Sequence, residues 1–144
     1  MAQVQNFDNH VRRTPGYYNA AGLILFVNIL WHGYQLVGGI SADSVIAFLV
    51  SIALLVAAFA ARTQTLTVQN RVIRLEQRLR FSQLLAADVA ARASALPVDQ
   101  IVALRFACDA ELPGLVNAVL AGQLAAPKDI KQKVKDWQAD FLRA

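Results

Sequence analysis

The sequence predicts an all-α membrane protein: a two-helix transmembrane hairpin whose second span continues into a long cytoplasmic helix, followed by about three short helices. Three observations predict it. Charge is absent from Thr14 to Ala42 and again from Ser44 to Ala61, with only Asp43 between the two stretches. Neither Gly nor Pro occurs from Ser44 to Leu96. Beyond Pro97, short helical patterns are punctuated by Gly122 and Pro127.

Residues 1–16 form a polar lead that contains Asp8. The apolar run behind it is long and has no cleavage site, so the N-terminus does not read as a signal peptide. Thr14-Pro15 reads as N-cap and first helical position, because proline lacks only a donor that would be orphaned there. The spans are 17–37 and 44–61, of 21 and 18 residues. A bilayer core about 30 Å thick needs roughly 20 such residues at a helical rise. Tyr17 and Tyr18 at one end of the first span, and Trp31 and Tyr34 towards the other, occupy the positions of interfacial aromatic belts. Gly38-Gly39 ends the first span, and Ser41, Asp43 or Ser44 caps the second.

The formal net charge of +4 is unevenly placed. Residues 1–43 sum to zero, residues 97–144 carry six charges of each sign, and the whole excess lies in residues 62–96, all of it arginine. Arg12 and Arg13 precede the first span and Arg62 follows the second, whereas the connecting loop has no Lys or Arg. The positive-inside bias therefore places both termini in the cytoplasm. It also makes Arg12, Arg13 and Arg62 the residues expected to meet lipid headgroups. The arginines further along the stalk lie beyond the Debye length over which an anionic surface acts.

The stalk, residues 62–96, would complete a helix of 53 residues from Ser44, roughly 80 Å at 1.5 Å per residue. It carries an apolar seam at Val68, Val72, Leu75, Leu79, Ser82, Ala86, Val89, Ala93 and Leu96, whose spacing alternates 4 and 3. That is heptad spacing with Val72 at a and Leu75 at d. Arg71 then falls at g and Glu76 at the following e, the pair that faces across a parallel dimer. Two covers are open to this seam, a copy of the chain or its own C-terminal arm. On the second span, Ala53, Ala57 and Ala61 form a small-residue row, and Ala47 with Ser51 another, of the kind that lets helices approach closely in lipid.

The arm, residues 97–144, should hold three helices: 98–108, one from an Asp109 N-cap to Gly122, and one from Pro127 to about Leu142. Ile130, Val134, Trp137 and Phe141 form a narrow stripe on the last, with Trp137 and Phe141 as docking anchors. Arg105, Asp109 and Glu111 would set the turn between the first two. Some 48 residues bury little core alone, so the arm should dock on the stalk, on a copy, or on a larger membrane protein complex.

The patterns that carry catalysis are absent: no glycine-rich phosphate loop, no His/Cys metal spacing, no HExxH. A membrane-tethered enzyme would need a polar cluster where stalk and arm meet. The single cysteine, Cys108, excludes an intrachain disulfide and reads as a buried thiol. His32 shares a helical face with Asn28 and Gln35. A polar group in a bilayer faces protein or water, so His32 reads first as an interfacial or interhelical hydrogen-bonding residue and secondly as a ligand of haem or chlorophyll. Nucleic acid is disfavoured as a partner, because the arginine stripe has no interleaved aromatics and the arm is neutral.

Several short stretches resemble a known family. They are Gln5-Asn6-Phe7 with Asn9-His10 and Pro15, then Arg71 through Arg80, then Ala103 through Ala107 with Asp109 and Glu111-Leu112-Pro113, and finally Ile130, Lys131, Trp137 and Asp140. On these the chain is similar to an uncharacterised family of short bacterial two-span membrane proteins, from which Cys108 departs. The resemblance implies the two-span architecture and an inner-membrane location, and supplies no activity. The expectation is a non-enzymatic scaffold or accessory subunit. The alternative is a small subunit of a respiratory or photosynthetic complex that holds pigment at His32.

Overall fold

The computed structural model describes residues 5–9 and 14–140. Every regular element among them is helical: α1 Gly16–Gly38, α2 Ala42–Leu84, α3 Ala87–Ser94, α4 Val98–Leu104, α5 Leu112–Leu120 and α6 Pro127–Lys133. The chain divides into two compact units, Arg13–Leu66, and Thr67–Ala144 together with Met1–Arg12. Helix α2 contributes to both.

In the first unit α1 and α2 are long and apolar enough to cross a membrane, and almost none of either apolar stretch is buried. The core helix of a soluble protein would be covered. Pro15 stands one place earlier than its sequence assignment, as the residue before the helix, and its carbonyl accepts from Tyr18 N–H. Along α1, Tyr18, Gly22, Leu25, Ile29, His32 and Leu36 are partly buried, at spacings of 4 and 3 that keep them on one stripe, and Tyr18 Oη donates to Ala58 O of α2. Its small residue Gly33 lies under the Phe48 ring, which a Cβ would meet at 3.4 Å. Helix α2 answers with Ala47, Ser51, Leu55 and Ala58. Ser51 is almost wholly buried and donates to Asn28 Oδ1 at 2.6 Å. The start of α2 is closed reciprocally: Ser44 N–H donates to Ser41 Oγ, and Ser41 N–H donates to Ser44 Oγ. This is a capping box with serine in both roles. The row Ala53, Ala57, Ala61 remains exposed.

In the second unit α4 ends at Leu104, short of its expected end at Cys108, and the chain departs from the sequence expectation at three further places. The stalk is not one helix to Leu96. It breaks at Leu85–Ala86, where Ala86 adopts φ −60°, ψ 149°, although no Gly or Pro stands there. Packing explains the break. The turn lets Ala90 and Ala93 of α3 join Phe81, Leu104, Leu112, Val116 and Ile130 in one core, in which α3 lies against α5 and α4 against α6. Secondly, α5 begins at Leu112 behind Glu111, so Asp109 is not its N-cap. Its end is as expected: Gly122 takes φ +75°, its N–H donates to Val119 O, and Gln123 N–H donates to Ala118 O. That pair of bonds is a Schellman closure. Thirdly, α6 stops at Lys133. Val134 is extended, and the chain then lies antiparallel to the segment after α4, with Cys108 N–H donating to Asp136 O and Gln138 N–H to Phe106 O. Those bonds replace the helical ones that a continuation to Leu142 would have made.

Candidate interaction site

Within the second unit, the part of α2 from Thr67 to Leu84 shows two apolar faces with different fates. Ile73, Gln77 and Phe81, four residues apart, are buried at 5%, 6% and 0% exposure, and Phe81 is part of the core built by the arm. Val68, Val72, Leu75 and Leu79 are open, at 59%, 48%, 61% and 66%. In heptad terms the buried residues take b, f and c, and the open ones take d, a, d and a. The chain therefore covers one face of the helix and leaves the seam from Val68 to Leu79 open. The arm, one of the two covers the sequence allowed this seam, leaves these four side chains open. Arg71 and Glu76 are exposed on the flanks of the seam. Lower down, the seam's continuation does enter the core: Ala93 is buried and Val89 and Leu96 are partly so.

Arg80 fastens the helix to the arm. Its Nε and Nη2 reach Asp109 Oδ1 at 2.7 Å, Nη2 donates to Ala107 O at 2.6 Å, and Nη1 donates to Arg105 O at 3.5 Å. The two carbonyls lie just past the end of α4, where a cation also meets the negative end of the helix dipole. Arg78 adds a bond to Ser94 O. Glu111 accepts the backbone N–H groups of Lys135 and Asp136, which is why the chain after α6 is held extended. Arg105 is buried over the Phe106 ring, 4.6 Å from its centroid, and pairs with Asp140 at 3.4 Å. The Asp140 N–H donates to Gln5 Oε1, tying the N-terminal segment to the last described residue.

Three residues of the stripe expected to meet a partner, among them the docking anchor Trp137, have a different employment. Ile130 and Val134 are buried at 0% and 6%, and Trp137 stacks on Phe106 with centroids 5.0 Å apart while its Nε1 donates to Val134 O. They close the arm's own core and present little to a partner. Phe141, Arg12 and Arg13 lie outside the described residues. Cys108 is half-buried and its thiol is not in a disulfide. Sequence reasoning missed Phe81 and Gln77, whose signal was a second row, 73, 77, 81, beside the heptad. It placed Arg80 and Asp109 among the distinctive residues without pairing them.

In the first unit, His32 is half-buried on the α2-facing side of α1, and its buried Nδ1 has no hydrogen-bond partner. Asn28 serves Ser51, and Gln35 is exposed. Arg62 lies with its guanidinium 6.0 Å from the Tyr18 ring centroid, beside a groove of about 640 Å³ walled by Tyr17, Gly22, Leu55, Ala58 and Phe59. No group of three or more His, Cys, Asp or Glu residues suited to a metal occurs among the described residues.

No curated protein and no solved structure matches the chain. One family model does, and it spans residues 1–144. The chain belongs to the family of unknown function DUF6526.

Proposed function

We propose that this protein is a non-enzymatic scaffold or accessory subunit of the bacterial inner membrane. The α1–α2 hairpin anchors it with both termini in the cytoplasm, and it assembles through the open seam of α2. One observation carries the reading: four large apolar side chains stay exposed on a helix whose other face the chain has already covered. A contiguous apolar patch of this kind outside the lipid marks an interaction surface. The polar groups of the arm support the same reading, because Arg80–Asp109 and Arg105–Asp140 fasten turns and chain ends.

The test is native mass spectrometry of the full chain extracted gently from its own membrane, with absorbance recorded. A mass above that of one chain, lost in the Leu75→Asp variant, is expected; a single-chain mass for the parent protein would overturn the proposal. The second reading, a subunit holding haem or chlorophyll, is favoured by the unpartnered Nδ1 of His32. It requires visible absorbance that His32→Ala abolishes.

A further inference from the structure

We infer that the partner on the seam is a second copy of this chain, and that the two α2 helices pack in parallel as a two-stranded coil. The inference rests on the scaffold reading and names its partner.

The central pair, β-branched Val72 at a with Leu75 at d, is of the two-stranded kind, whereas Val68 at d and Leu79 at a reverse it, so the strand number rests on the closure of the contact and not on these side chains. The charges then decide direction. In a parallel pair each g residue faces the e residue five places on in the other helix. Here those pairs are Gln64 with Gln69, Arg71 with Glu76, and Arg78 with Gln83. Twofold symmetry supplies the Arg71–Glu76 attraction twice, and no like charges meet. An antiparallel pair sets g against g and would bring Arg71 and Arg78 of one helix against those of the other. That repulsion works against the wrong orientation. The bilayer agrees: two copies inserted with one topology run α2 in the same direction.

The arm removes the usual competitor. Phe81, at c, lies in the core built by the arm, and the buried Ile73 and Gln77 take b and f, while the a and d side chains Val68, Val72, Leu75 and Leu79 stay uncovered. An isologous contact of this kind closes at two copies, with each arm on the outside of the pair.

The experiment uses the full chain, purified and reconstituted alone into phosphatidylethanolamine/phosphatidylglycerol vesicles, with Cys108→Ala as background. Leu75→Cys places a thiol at d, where partner Cα atoms come within the roughly 7 Å that a disulfide spans. Asn70→Cys places one at an exposed position on the far side of the helix. Under copper-phenanthroline oxidation, Leu75→Cys is expected to run at twice the chain mass and Asn70→Cys to stay single. Adding Arg71→Glu to Leu75→Cys should lower the cross-linked yield roughly fivefold, and adding Glu76→Arg as well should restore it. Equal cross-linking from Asn70→Cys would mean random collision and overturn the proposal, and a double swap that fails to restore would overturn the parallel register. No dimer in vesicles, alongside a second polypeptide bound in native membranes, would overturn self-pairing and leave the scaffold reading standing. No assembly in either setting would overturn both.

Discussion

Removing the Arg80 side chain should loosen the arm far more than removing the charge it pairs with. Its guanidinium side is 13% exposed, whereas the Asp109 side chain is 68% exposed. An ion pair so open to solvent contributes at most about 1 kcal/mol. The bond to Ala107 O is different, because that carbonyl lies in a partly buried turn and no other donor among the described residues is placed to satisfy it. An abandoned carbonyl there costs about 1–3 kcal/mol. Arg80→Met should therefore destabilise the arm by about 2–3 kcal/mol in sum, and Asp109→Asn by less than about 1 kcal/mol. Arg80→Lys keeps the charge and loses the fork that reaches Asp109, Ala107 O and Arg105 O together, so it should fall between them. The assay is hydrogen exchange of the reconstituted full chain, read by mass spectrometry on peptides covering residues 104–120. If local opening governs exchange, Arg80→Met speeds it roughly 30- to 100-fold and Asp109→Asn by less than about fivefold. Equal acceleration by the two variants would show that the ion pair, not the carbonyl bond, holds the turn. No acceleration by Arg80→Met would refute the fastening altogether.

Two further substitutions test the arm from opposite directions. Gly122→Ala forces an L side chain into the left-handed region at φ +75°, with open space around the new Cβ, so its cost is backbone strain alone, about 1–2 kcal/mol by thermal unfolding. A neutral result would mean that the α5 terminus adopts another closure. Gln77→Met replaces a buried amide whose Oε1 has no hydrogen-bond partner with an apolar chain of similar length, and should raise the melting temperature with a gain of about 1 kcal/mol. A loss of stability would place an unseen partner on that oxygen.

How much of this was legible in the sequence depended on where each constraint acts. The two apolar helices were readable because each holds a long uncharged apolar run; the cap of α2 was narrowed to Ser41, Asp43 or Ser44 because capping is local, whereas its reciprocal Ser41–Ser44 form was not legible. The seam was readable from its spacing, but its neighbours were not. Nothing in a heptad says that Ile73, Gln77 and Phe81 form a second buried face, because that depends on distant segments, for Phe81 on where Val116 and Leu112 end up. The break at Leu85–Ala86 contains no helix breaker, and it follows from burying Ala90 and Ala93 in a distant core. The stripe Ile130, Val134, Trp137 looks helical at 4 and 3. What ends α6 is a set of bonds made with Phe106, Cys108 and Glu111, residues more than 20 positions earlier.

The division of α2 between two faces also gives the segment a double grammar for genetics. In a saturation scan of residues 68–81, polar substitutions at 73 and 81 and charged ones at 77 would deplete the folded chain, whereas polar substitutions at 68, 72, 75 and 79 would leave its abundance intact. The two phenotypes alternate along the same few turns. Alleles that separate the protein's presence from its action can therefore be chosen before that action is known, simply by moving two or three residues around the helix.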